Sequence, residues 1–246
     1  MTANTQPTVV ISCRVMRELL TPRLPPDMPV TYMDILLHNS PKKLAAALQA
    51  ELDALSQPST VVIGYGLCGN GLVGVRAGPH TLIIPRTHDC VAIFLGSHQR
   101  YAQRFFANPN TYYLTRGWLE AHDEPLHDYL DYVNEFGEET ADYLVEMKYR
   151  HYRRLCMVGF SQEELDTCRP SATAVADFCA ERWSMEYEEV IGSTRLLDGL
   201  LEKPQHLEES NNEFVIVPPG VEVTAEMFMG SGDPAPPVAA RRCSEG

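Results

Sequence analysis

Three cysteines stand where an apolar, strand-like run gives way to a loop. Cys13 follows Val9-Val10-Ile11-Ser12, Cys68 follows Val61-Val62-Ile63-Gly64-Tyr65-Gly66-Leu67, and Cys90 follows Leu82-Ile83-Ile84-Pro85-Arg86-Thr87-His88-Asp89. In an open α/β sheet the carboxyl ends of the strands form the crevice where ligands bind. If the three strands are parallel neighbours, three thiols distant in sequence converge on one pocket, with His88 and Asp89 at its edge. Three thiolates could hold an iron–sulfur cluster with one open iron, or zinc with His88 or a substrate as fourth ligand. Without a metal, Cys90 would serve as a nucleophile with His88 or His38 as its base. A third expectation is a non-enzymatic role, with the cysteines delivering a cofactor to a partner.

The surroundings of these thiols are unlike an apolar helix face. Cys68 has five glycines within six residues on either side, and Cys90 follows His88-Asp89. The stretch Gly64-Tyr65-Gly66-Leu67-Cys68-Gly69 matches the dinucleotide fingerprint, and Asp89 falls 20 residues after Gly69. That mechanism needs a helix to open at the glycines. Here Asn70-Gly71-Leu72-Val73-Gly74 leads only to the next strand, so Gly66, Gly69 and Asn70 are better read as a loop whose backbone approaches something closely or takes positive φ. Arg86 is a candidate for a carboxylate or phosphate, with a salt bridge to Asp89 as the competing role. Asp89 is expected to open a short helix through Leu95, whose amide groups would lower the pKa of Cys90. His38 is expected at a strand end matching that of Cys13.

The remaining cysteines ask for less. Cys156 and Cys179 lie in apolar runs and are expected in the core, Cys168 at a helix end, and Cys243 outside any chemistry. His122 and His127, among Asp123, Glu124 and Asp128, read as a solvated loop. Trp118 and Trp183 read as packing residues.

Composition bounds the partners. The chain has 246 residues, 44% of them hydrophobic, and 33 acidic against 20 basic side chains give a formal charge of −13. A nucleic-acid binder would carry a basic footprint, so none is expected as a partner. No apolar run approaches the roughly 20 residues that span a bilayer, so no membrane partner is expected. The polar start Met1-Thr2-Ala3-Asn4-Thr5-Gln6-Pro7 lacks the features of a signal peptide. A cytoplasmic setting follows as an expectation, and there seven cysteines, odd in number, point to metal or catalysis more than to disulfides.

Positioning these residues requires an α/β fold, expected as three layers with mostly parallel sheet. Strands are expected at Thr8–Cys13, Val30–Leu37, Thr60–Gly64, Thr81–Pro85, Thr111–Thr115, Arg154–Val158, Glu188–Ile191 and Glu213–Val217. A helix is expected over Lys42–Leu55, with Ser40 as N-cap and Pro41 in its first position. Others are expected at Pro125–Phe136, Glu138–His151, Ser161–Trp183 (broken near Pro170) and Thr194–Leu201. The pattern suggests two similar lobes, 8–116 with the three thiols and 117–222, with one continuous sheet as the alternative. Residues 223–246, without apolar periodicity, read as a disordered tail.

The run Tyr65-Gly66-Leu67-Cys68-Gly69-Asn70-Gly71, then Ile84-Pro85-Arg86-Thr87-His88-Asp89-Cys90 with Leu95-Gly96-Ser97, resembles the family catalogued as domain of unknown function 1638. The likeness continues in Tyr112-Tyr113-Leu114-Thr115-Arg116-Gly117-Trp118, and more weakly in Gly192-Ser193 with Leu196-Leu197 and in Phe214–Gly220. The resemblance implies no activity by itself. It implies a one-carbon context, with a small-molecule substrate or a corrinoid or methyltransferase protein as partner. The family pattern has Ala-Cys-Gly at the first thiol, where this chain has Ser12-Cys13-Arg14.

Overall fold

The computed structural model describes residues 6–207 and 212–229, which form two units. The first comprises the chain up to Ile93 and again from Arg195, and the second runs from Phe94 to Thr194. The crossing between units therefore falls before Phe94 rather than near Gly117, and the chain returns to its first unit after Thr194.

The first unit is built on β1 (Thr8–Cys13), β2 (Val30–Met33), β3 (Thr60–Gly64), β4 (Thr81–Pro85) and β8 (Phe214–Val217), in the order β2-β1-β3-β4-β8. The first four are parallel and β8 is antiparallel to β4. Strands β1, β3 and β4 are nearly continuous apolar runs because they are buried on both faces, as parallel strands are. After β1 come α1 (Arg17–Leu20) and short 3₁₀ turns; after β2 comes α2 (Pro41–Asp53). Pro41 does occupy the first turn of α2, but Ser40 makes no side-chain cap. Leu44, Leu48 and Leu52 recur every four residues and are buried, with Leu48 and Leu52 against Ile63, Leu82 and Ile84 of the sheet. Helix α3 (Val91–Leu95) follows β4, and α9 (Arg195–Glu202) packs on β3 and β4 through buried Leu196, Leu197 and Leu200, within the three-layer α/β arrangement.

The second unit holds a parallel sheet of β5 (Thr111–Thr115), β6 (Arg154–Gly159) and β7 (Glu186–Ile191), in that order. Its helices are α4 (His98–Ala107), α5 (Arg116–Glu120), α6 (Pro125–Phe136), α7 (Glu138–Tyr149) and α8 (Gln162–Trp183). Leu155 and Met157 of β6 join Val145, Leu165, Cys168, Ala172, Val175, Cys179 and Trp183 in one core. The alternate residue Cys156 instead faces Arg104 of α4, at 3.5 Å from its guanidinium.

Four expectations about elements need correction. Strand β2 ends at Met33, and a 3₁₀ turn over Ile35–Asn39 replaces its expected second half because Asp34 caps the Leu36 amide at 2.7 Å. Helix α8 runs unbroken through Pro170: the proline removes one backbone donor, but buried residues on both sides hold the turn in place. Cys168 accordingly lies mid-helix in the core rather than at a helix end. Residues 223–229 are packed, with the Val223 amide on the Val75 carbonyl at 2.8 Å and Phe228 buried. The rest of the expected tail, including Cys243, lies outside the described residues.

Candidate thiol site

Each thiol sits at the carboxyl end of its strand, and β1, β3 and β4 are consecutive in the sheet. Cys13 closes β1 and is buried; Cys68 and Cys90 are partly exposed. Two backbone bonds prolong the β3–β4 pairing beyond the strands, from the Leu67 amide to the Thr87 carbonyl at 2.8 Å and from the Cys68 amide to the His88 carbonyl at 3.1 Å. This zipper carries Cys68 to the side of Cys90, and the two thiols hydrogen-bond. Cys13 lies within electrostatic reach of Cys90. Strands β1, β3 and β4 thus bring Cys13 and the loops carrying Cys68 and Cys90 to the same edge of the sheet.

The loop pays for this placement in strain. Cys68, Gly69 and Asn70 take φ of 46°, 64° and 71°, three left-handed residues in succession. For a non-glycine residue such a conformation costs about 1–2 kcal/mol, and it persists only where surroundings fix it. Gly66 has a different reason. A Cβ there would lie 2.8 Å from Thr87 Oγ1 and 2.9 Å from the Asp89 carbonyl carbon, so its bareness lets the two loops close on each other. No helix opens at these glycines; turns lead on to Val75, and the phosphate cradle of a dinucleotide fold is not built here.

Asp89 does begin the helix: its carboxylate accepts from the Val91 amide at 2.9 Å and from the Cys90 thiol at 3.5 Å. The consequence for Cys90 is opposite to the expectation. Its hydrogen bond to Cys68, desolvation and the Asp89 carboxylate hold the thiol well above the ordinary cysteine range. Clustered sulfurs and a carboxylate outweigh the amides of a five-residue helix.

Other candidates fall elsewhere. His38 lies in the 3₁₀ turn after β2 and donates from its ring to the Ile35 carbonyl, so Met33, not His38, is the strand-end neighbour of Cys13. His88 is partly buried on the loop beside Cys68. Arg86 is committed to the backbone of the C-terminal segment, donating to the carbonyls of Asn212 at 2.9 Å, Phe214 at 3.3 Å and Met227. It forms neither the anion site nor the Asp89 salt bridge expected of it. Asn70 and Gly69 are exposed at the rim. In the second unit Cys156 and Cys179 are core thiols, each pushed by burial up to about 12. The His122–His127 segment is less solvated than expected: Asp123 and Glu124 are buried, the two rings stack at 4.0 Å, and Glu124 accepts from the Leu126 amide and pairs with His127.

One residue escaped the sequence reading. Tyr65, 1% exposed, lies near all three thiols, and burial holds its hydroxyl well above the usual tyrosine range. No group meets the hydroxyl at hydrogen-bond geometry. Thr87 Oγ1, against Gly66, is likewise buried and unpartnered. Among the described residues no group of three or more His, Cys, Asp and Glu side chains is already spaced as a metal cage. The donor set itself is soft sulfur, and a buried hydroxyl beside it awaits an acceptor.

These features define an α/β protein with a thiol cluster at the carboxyl edge of a parallel sheet. The chain belongs to the family described as "Protein of unknown function (DUF1638)", whose model matches residues 32–201. Cys68 and Cys90 fall inside that match and Cys13 before it. No curated protein and no solved structure is detectably similar to the chain.

Proposed function

We propose that Cys13, Cys68 and Cys90 bind a soft metal, as a zinc ion or an iron–sulfur cluster, and that the protein serves one-carbon chemistry with a small-molecule substrate or a corrinoid-linked methyltransferase protein. The observation that carries this reading is the meeting of three thiols from three consecutive strand ends. In the metal-free protein Cys90 is held protonated by its neighbours. Several sulfurs so close together ionise together only against a positive charge, and a metal ion supplies one. The same protonation weighs against Cys90 as a metal-free nucleophile with His88 or His38 as base, because the thiolate is the reactive form. Bound zinc with an open position would activate a substrate thiol or water; a cluster with one open iron would bind substrate there. His88, on the loop next to Cys68, is the protein's own candidate for a fourth ligand or proton carrier.

Anaerobic purification with elemental analysis and a visible spectrum tests the proposal. Zinc near one per chain, or iron and sulfide with visible absorption, supports it. Metal-free protein that resists reconstitution, with one thiol alkylated rapidly by iodoacetamide at a rate chelators leave unchanged, establishes the thiol-enzyme reading instead. Recovery of a corrinoid protein with the tagged chain would support the one-carbon assignment.

A further inference from the structure

A helix on the surface of a folded domain turns its apolar stripe inward and its polar side to water. Helix α7 does so only in part. Ala141, Val145 and Tyr149 recur every four residues and are buried. Yet Tyr143 and Met147, neighbours four residues apart on the opposite side, stand 63% and 54% exposed. Beside them, between α7 and α8, opens a cavity of about 450 Å³ lined by Asp142, Tyr143, Val145, Glu146, Arg182 and Trp183. Its carboxylates are positioned but not saturated. Asp142 accepts from the Arg182 guanidinium at 2.7 Å and Glu146 from the Trp183 indole at 2.6 Å, and a carboxylate has room for further donors. Arg182 is held from behind, its guanidinium 4.3 Å from the Tyr129 ring and 4.7 Å from that of Phe178. Acid dominates this face. Helix α7 carries Glu138, Glu139, Asp142 and Glu146, all exposed, against Lys148, which is paired with Asp128.

We propose that this face of α7 and α8 is a docking surface for a basic amphipathic helix of a partner protein. Tyr143 and Met147 receive its apolar side chains, and the cavity receives one arginine or lysine. The inference is independent of the thiol site. An amphipathic helix meets such a surface through apolar anchors one turn apart, the spacing that Tyr143 and Met147 themselves have. Methionine repacks readily around a partner, and tyrosine gives a large contact that loses little freedom. In the cavity the stem of a long basic side chain lies along the Tyr143 and Trp183 rings while its head meets Asp142 and Glu146. Charge selects among occupants. A second copy of this chain would set the same acidic helix against itself, and nucleic acid or an anionic membrane would be repelled.

Fluorescence anisotropy of a labelled peptide, leucine and lysine at helical spacing, tests the surface on the full chain. The peptide is expected to bind, more weakly as salt rises, while its counterpart with glutamate for lysine does not. Tyr143→Ala with Met147→Ala should weaken binding about tenfold or more at an unchanged melting temperature, because both side chains are exposed. Asp142→Asn with Glu146→Gln should weaken it and flatten its salt dependence. Leu130→Ala, at an exposed apolar position of α6, should leave it as it was. Absence of binding, or equal losses in the α7 and α6 variants, would overturn the proposal. Displacement of the peptide by arginine methyl ester at equal concentration would overturn it as well, making the cavity a site for small cations. A dimer in sedimentation that Tyr143→Glu dissolves would do the same, with a second copy as the occupant.

Discussion

At the scale of the residue, the site was half legible. Cysteine at three strand ends announces itself, because a thiol on a loop is a ready metal ligand or nucleophile. Tyr65 did not, since tyrosine is an ordinary strand residue and nothing in Gly64-Tyr65-Gly66 tells an orphaned hydroxyl from a satisfied one. His38 and Arg86 misled for opposite reasons: one hung on a strand that stops early, the other on a C-terminal segment whose return was not visible. Two outcomes test the residues kept. Cys68→Ser and Cys90→Ser should each abolish metal content in a folded protein, measured by elemental analysis. Cys68→Gly should lose metal equally, yet its backbone accepts φ of 46° at no steric cost, so its metal-free stability should exceed that of Cys68→Ser by about 1 kcal/mol in urea unfolding. Equal stability of the two variants would mean that the loop is not strained at Cys68. At Asp89 the carboxylate caps the Val91 amide. Asp89→Ala should therefore cost about 1 kcal/mol and Asp89→Asn markedly less, because asparagine still accepts that bond.

At the scale of the element, strands read better than what joins them. The bounds of β1, β3, β4 and β5 follow from β-branched runs between polar residues, and α6 from Pro125 at its start and Gly137 at its end. The failures lie where a side chain or tertiary packing overrules local preference, as Asp34 does in ending β2 and the core does in carrying α8 past Pro170. The join between the Cys68 and Cys90 loops was not readable, because Gly66 is bare for the sake of residues more than twenty positions away. Gly66→Ala forces a methyl to within 3 Å of backbone at Asp89, which cannot move as a flexible side-chain tip would. It should destabilise by about 1–3 kcal/mol and weaken metal binding. Gly74, with φ of 89° and open space around it, is the comparison: alanine there meets only backbone strain and should leave metal binding unchanged. Intact metal affinity in Gly66→Ala would show that the loop contact does not align the thiols.

At the scale of the whole molecule, the alternation of strands and helices gave the α/β class, while the division of the chain escaped it. Residues after Thr194 return to the first unit because β8 pairs antiparallel with β4 and α9 covers that sheet, contacts no local pattern encodes. The division separates two kinds of thiol. Those of the second unit are stabilising only while neutral. Burial raises Cys179, and burial with Glu188 raises Cys156, from 9.0 to about 12, so unfolded chain loses these protons at lower pH than native chain. Their contribution is complete below pH 9 and is lost as pH rises toward 12. Cys179→Ala should flatten that alkaline decline in melting temperature while leaving metal content alone. The thiols of the first unit should respond to metal instead. A ligand that binds only folded protein stabilises the segments whose opening would release it. Adding Zn²⁺ should therefore slow amide hydrogen exchange around 10–15, 64–71 and 86–92, where the three strand ends meet. Amides of β5, β6 and β7, which belong to the second unit, should exchange as before. Protection spread evenly over both sheets would mean that the metal acts elsewhere than at Cys13, Cys68 and Cys90.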